Sequence, residues 1–344
     1  MKSPGILLLS SFVILLLSAA FVHSQTYTVT DLGTIGGHIS DALAINDAGD
    51  VVGSSYTSMK NAVDHAFLWT AATGMQDLGT LGGYNSYARA INNLGQVVGC
   101  SDMSANINGH AFLWTQSGGL QDLGTLGGSS SCATGINDAG QVVGEAADST
   151  NAQRAFLWTA TGGMQDLGVA AGGVANAINN SGVVAGSFLG SSGATHAFLW
   201  TATGGMQDLG SLGSGTAEAS AINSFGEVVG RSVTSSGTFP AFRWTQSGGM
   251  KALTTLLPEP YSDGLAVNSS GAIVGFALNT KIQQRAVMWD KSFKIHDLNT
   301  LTVNSPSILL FANGVNTSGQ IVGVGRSKIN PALSHAYLLT PAKK

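Results

Sequence analysis

The chain has 344 residues, 44% hydrophobic and only 10% charged, so it can bury a sizeable core while its charge density sits well below the roughly 25% usual for soluble domains. Its 47 glycines against 7 prolines point to many short strands joined by tight turns, not to helices. A net charge of −4 and the lack of Lys/Arg clusters exclude nucleic acid as a partner, because that partner demands a basic footprint.

At the N-terminus, Lys2 precedes an apolar run from Gly5 to Val22, followed by His23, Ser24 and Gln25. A charged start, a hydrophobic centre and a small-residue exit are the parts of a secretory signal peptide, here residues 1–24, with cleavage after Ser24 or alternatively at Ala20. An uncleaved anchor is the competing reading, since the run nearly reaches the roughly 20 residues that cross a bilayer. On either reading the body is exported, and with the leader removed a secreted protein without a membrane span is expected.

From residue 25 to Lys344 three markers recur in fixed order. The first, [IV]-N-x-x-G-x-x-[VA]-G, begins at Ile45, Ile91, Ile136, Ile178, Ile222, Val267 and Val315, spaced 42 to 48 residues apart. The second is an apolar run ending in Trp: HAFLW at His65, His110 and His196, with relatives at Arg154, Pro240, Arg285 and His335. The third is DLG at Asp31, Asp77, Asp122, Asp166 and Asp208, with relatives at Ala252 and Asp297. A period of this length suits a four-stranded propeller blade. Within a unit, strand a runs into the Asn, strand b follows the Gly, strand c carries the Trp run and strand d leads into DLG. The Asn bonds its own turn and the Gly takes the positive φ, which makes the a–b connection a tight hairpin.

The mature chain opens with a lone third marker, Tyr27–Gly33, and finishes with a strand c, Tyr337–Thr340, that lacks its strand d. The first strand therefore completes the last blade. The prediction is an all-β fold: one seven-bladed β-propeller over residues 25–344, with four-stranded blades and a ring shut by the N-terminal strand, which leaves only short, protected edges. Two strand-a columns hold only Ala or Gly (Ala42 to Ala312, and Ala44 to Gly314), as close packing at the axis requires. Every Trp falls in one strand-c column, where the diverging blades need bulk.

At these markers the chain resembles the bacterial extracellular repeat family named for its His-Ala-Phe motif, the HAF repeats. HAFLW and DLGTLGG carry the likeness, which covers essentially everything after the leader, while Arg285–Trp289 and Leu298–Thr302 depart from pattern. The resemblance implies an exported repeat protein and brings no catalytic residue, substrate or cofactor.

No enzyme signature is present: G-x-S-x-G, H-E-x-x-H, C-x-x-C and G-x-x-x-x-G-K-[ST] are all missing. The Gly82–Gly83 and Gly127–Gly128 pairs read as turn glycines ahead of a strand. His65, His110, His196 and His335 fall on separate blades, so neighbours should stand on the order of 10 Å apart, against the roughly 2 Å of a metal–nitrogen bond. The Asp column likewise spreads too widely for paired catalytic acids, which stand roughly 5 to 10 Å apart, and turn capping beside the strand-c His or Arg is its expected role. No catalytic residue, metal or cofactor is assigned. Cys100 and Cys132 share one face of the ring but belong to different blades, which favours an unbridged pair.

The a–b turns are nearly constant, whereas the b–c loops, such as Ser54–Asp64 and Ser101–Gly109, differ in every unit, the pattern of a binding face. Beside them the variable strand-a column should ring the channel mouth. The predicted ligand-binding face is Tyr84, Asn85, Tyr87, Arg89, Thr134, Asn176, Ser220 and Asn313. The expected function is a monomeric, non-catalytic binding module for a polysaccharide or a protein at the cell surface. The alternatives are an exported glycoside hydrolase or lyase using acids such as Asp41, Asp102, Asp148, Glu145 or Glu218, and a purely structural envelope protein.

Overall fold

A computed structural model of the chain describes residues 25–60, 63–103, 106–170, 172–257 and 261–342; the leader assigned to residues 1–24 lies outside them. Seven antiparallel sheets of four strands each follow one another along the chain. The second blade sets the pattern: strand a is Gly82–Ile91, b Val97–Met103, c Asn106–Thr115 and d Gly119–Asp122. In six blades the four strands are consecutive. In the seventh, Tyr27–Asp31 pairs antiparallel with Ser334–Pro341, from Tyr27 opposite Pro341 to Asp31 opposite Tyr337, and so lies outside the strands Ile321–Ser327 and Ser307–Val315. The chain is a seven-bladed β-propeller whose ring the N-terminal strand closes.

The core lies between blades. One cluster joins Val98, Ala111, Leu113 and Leu123 of the second blade to Ala133, Ile136, Val142, Phe156 and Trp158 of the third, and equivalent clusters fill the other six joints. The Trp column packs against the preceding blade, as its place in strand c implies; Trp158 is 8% exposed and Trp289 wholly buried. The Phe of each HAF run is buried more completely. Phe67, Phe112, Phe156, Phe198 and Phe242 have no exposed surface, so this ring is the centre of each joint.

Strand a carries a β-bulge at the same point in all seven blades, between the two small-residue columns, as between Ala88 and Ala90. The bulge turns a strand-a carbonyl toward strand b, and the glycine ending V-V-G must leave room for it. A Cβ on Gly99 would lie 1.8 Å from the Tyr87 carbonyl oxygen. Read from sequence alone, that glycine belongs to the turn; its place in the fold is under the bulge. The Gly82–Gly83 and Gly127–Gly128 pairs likewise begin strand a and are not turn residues. The connection read as the loop Ser101–Gly109 is mostly strand, because b and c extend to Met103 and from Asn106.

The marker Asn does more than shape its hairpin. Its Oδ1 accepts from the backbone N–H four residues on, at 2.9–3.0 Å in every blade. Its Nδ2 donates to the backbone carbonyl of the corresponding Asn in the next blade, at 2.9–3.3 Å. Asn46, Asn92, Asn137, Asn179, Asn223, Asn268 and Asn316 thus form an unbroken circuit, each no more than 6% exposed. The amide places its acceptor and its donor on two separate atoms, one for its own turn and one for its neighbour; an ionised Asp carboxylate has no donor, and a Ser hydroxyl would have to serve both partners from one shorter-reaching atom.

Candidate functional site

The a–b turns crowd one end of the ring, so the b–c connections define the other. On that face, at three joints, the strand-b residue after the V-V-G glycine meets a strand-a residue of the next blade. Cys100 and Cys132 occupy one such joint as a disulfide with Cα atoms 4.7 Å apart, which overturns the expectation of an unbridged pair. Strand b of the second blade and strand a of the third meet across the joint, a closeness that spacing along the chain does not reveal. The next-but-two joint holds Arg231 Nε 3.9 Å from Asp263 Oδ2, with Arg231 Nη2 2.8 Å from Glu218 Oε2. The joint after that holds Phe276 against Phe311, with ring centroids 5.2 Å apart.

Beside the disulfide a cleft of about 410 Å³ opens between the second and third blades. Tyr87, Ser101, Asp102, Gly109, Ser131, Glu145, Asn151 and Gln153 line it with the two half-cystines. Burial pushes the Glu145 carboxyl above its ordinary range, and nearby Arg89 pulls it back. Burial also raises the Tyr87 phenol, helped by the negative charges of Asp64 and Asp102. Asp102 Oδ2 accepts from the backbone N–H and the Nδ2 of Asn85, at 3.1 and 2.8 Å.

Of the predicted face, Tyr87 lines this cleft, Asn85 braces its Asp102, and Arg89 projects from the bulge with its charge acting on Glu145. Tyr84 stands 75% exposed at the start of the same strand. The others are dispersed round the axis. Thr134 donates to the Ala175 carbonyl, Asn176 to Ala219 at 2.7 Å and Asn313 to Ala42 at 2.9 Å, each across a joint. Ser220 bonds the Asp263 carboxylate. Glu145, expected only as one acid of the alternative catalytic reading, and Asn151 and Gln153 come from strand b and the b–c loop of the third blade and were outside the predicted ligand-binding face. The signal for them is the variability of the Glu145–Gln153 loop.

Asp263 is a second missed group. Burial, with Glu218 adding to it and Arg231 opposing, pushes its carboxyl up to about 7, and its Oδ1 is buried without a hydrogen-bond partner. An aromatic file runs beside it, Phe239 to Tyr261 to Phe276, at centroid separations of 5.9 and 6.0 Å.

The Asp and His columns are structural. Asp77 Oδ1 accepts from the Gly79 N–H at 2.8 Å while His65 Nδ1 lies 2.8 Å from its Oδ2, and the same arrangement joins His110 to Asp122, His196 to Asp208, and His335 to Asp31 across the ring closure. Arg154 instead pairs with Asp148 at 2.9 Å. Among the described residues no three His, Cys, Asp or Glu side chains cluster as a metal would need, and no helix is long and apolar enough to cross a membrane.

This geometry defines the class: a seven-bladed β-propeller with a half-polar cleft on its variable face. No family model and no curated protein matches the chain. Among solved structures it is similar to the β-propeller domain of the Trilobed protease from Pyrococcus furiosus (7% identity, TM-score 0.57, covering 93% of this chain and 97% of that one). It is also similar to virginiamycin B lyase from Staphylococcus aureus (11%, 0.51, covering 93% and 100%) and to TolB from Acinetobacter baumannii (11%, 0.50, covering 87% of this chain). The chain spans 65% of the length of TolB. At such identities these likenesses speak for the fold alone. The Pyrococcus domain is described as having an open velcro topology, whereas here the first strand closes the ring.

Proposed function

We propose that the chain is an exported, monomeric HAF-repeat protein that binds a polysaccharide or a protein at the cell surface, without catalysis, through the cleft between its second and third blades. The leader at residues 1–24 is the support for export. The cleft carries the rest. It is a concave, half-polar pocket built from strand ends and a b–c connection, a class that varies from unit to unit. A protease domain and a lyase share the ring, so the ring itself selects no activity. The test is a screen of glycans and envelope proteins against the wild type and the double variant Tyr87→Ala/Glu145→Ala. Ligands captured by the wild type and lost by an equally stable variant support the reading; a screen without a hit, beside measured turnover, contradicts it.

One observation favours a second reading, an exported glycoside hydrolase or lyase. Glu145 and Asp102 share the cleft, and burial favours the protonated form of Glu145, the state a general acid needs. The other candidate acids, Asp41, Asp148 and Glu218, do not line it. Turnover that disappears in Glu145→Gln would establish this reading in place of the first.

A further inference from the structure

The opposite face carries cavities of a different kind. One of about 480 Å³ lies between the second and third blades and one of about 280 Å³ between the fourth and fifth. They are the same groove built twice. Leu113 and Leu199 stand at equivalent points of strand c, Gln121 and Gln207 at equivalent points of strand d, and Trp158 and Trp244 supply the far wall from the following blade. The a–b turn of that following blade forms the floor, through Gly140 in one and Gly226 in the other.

The Leu–Gln–Trp set also recurs at the first joint (Leu68, Gln76, Trp114) and the third (Leu157, Gln165, Trp200). Gln76, Gln121, Gln165 and Gln207 are all exposed, and none of their side-chain amides makes a hydrogen bond to another described residue. Folding explains the Leu and the Trp but not a solvent-facing amide repeated at one point of four consecutive blades. At the fifth joint the set ends. Arg243 and Lys251 stand where Leu and Gln were, and Arg243 lies over the Phe293 ring at 4.8 Å and pairs with Glu227.

The geometry points to a row of equivalent binding sites, one per joint from the first to the fourth, each taking one neutral sugar residue of a repeating glycan. Leu113, Leu199, Trp158 and Trp244 are packed in the joints and reach the grooves only by their edges, an apolar strip that suits the C–H groups of a pyranose, while an uncharged amide that both donates and accepts suits its hydroxyls. The charged group on the rim of the larger groove, Asp138, is already held by Asn93 and Asn180, and its sign disfavours anionic sugars. Weak single sites spaced round a ring gain strength on a polymer through effective concentration. These sites are separate from the cleft of the proposed function and do not depend on it.

The test is a titration of the folded 25–344 chain, followed through the side-chain NH₂ signals of glutamine and the indole N–H signals of tryptophan. The probes are the methyl glycosides of glucose, galactose and N-acetylglucosamine, with methyl glucuronide as the charged control. A neutral probe should shift the signals of Gln121, Gln207, Trp158 and Trp244 together, and Gln121→Leu/Gln207→Leu should weaken binding at those two grooves roughly tenfold. Glu145→Gln should leave the groove shifts intact, which separates this result from the fate of the cleft. Shifts confined to the cleft, an equal response to glucuronide, or no response to any neutral probe would overturn the assignment.

Discussion

The two ends of the ring are built on opposite rules. On the a–b end every blade offers the same Asn to the next, and the circuit of amide-to-carbonyl bonds never changes chemistry. On the b–c end the equivalent contact between blades is a disulfide in one joint, an ion pair in another and two stacked rings in a third. A uniform set of buried hydrogen bonds fixes blade spacing once, for all seven joints. With spacing fixed there, the other end is free to differ, and it is there that the cleft between the second and third blades has formed. At the axis, repetition of the Asn circuit is the work of closure, and at the b–c end departure from repetition marks where the cleft has been placed.

Several substitutions separate the two ends. Closure should dominate. Deleting Tyr27–Gly33 removes the outer strand of the seventh blade and its Asp31–His335 contact, and should abolish cooperative thermal unfolding, whereas trimming Pro341–Lys344 should lower the melting temperature only slightly. Equal melting temperatures would contradict the topology.

The Asp263 joint should respond to pH. Its folded-state pKa of about 7 lies above the ordinary 3.8, so between those values the folded chain holds a proton that the unfolded chain has lost. Stability attributable to this group is therefore fully present below about pH 4 and declines as pH rises to 7, by at most about 4 kcal/mol. Asp263→Asn should flatten that decline in urea titrations across the range; an unchanged slope would remove Asp263 from the account. At the disulfide joint, Cys100→Ser/Cys132→Ser opens a loop with 32 residues of sequence separation and should lower unfolding free energy by about 3–4 kcal/mol, read by denaturant melts. A loss well under 1 kcal/mol would mean that the other contacts of that joint already hold it.

How far these features were legible in sequence follows the same division. The seven markers, the small-residue columns and the unmatched ends specified blade number, strand order and closure, because each reflects a constraint that every blade must meet. The Trp column was readable for the same reason. The circuit of Asn bonds was not: the N-x-x-G turn accounts for the Asn by itself, and nothing in a linear pattern indicates that its second amide function reaches the next blade. The V-V-G glycines depend on the strand-a bulge, which moves one carbonyl and leaves no composition signature, while the Cys100–Cys132 bridge and the rise in the Asp263 carboxyl arise between neighbouring blades, where spacing along one blade carries no signal. In the cleft, Tyr87 and its neighbours stood out as a local cluster, but Glu145 and Asn151 come from the adjacent blade and became neighbours only in three dimensions.

The most direct test of the division between the two ends is a pair of single variants, Asn137→Ala and Glu145→Ala, each measured for unfolding free energy and for affinity toward a captured ligand that the cleft residues, and not the grooves, hold. Asn137→Ala breaks the circuit and strands a buried carbonyl and turn N–H groups, so it should cost about 1–3 kcal/mol of stability while the folded fraction binds as before. Glu145→Ala should leave stability within about 0.5 kcal/mol of wild type and abolish binding. Stability lost equally in both, or affinity lost in Asn137→Ala and kept in Glu145→Ala, would contradict the division.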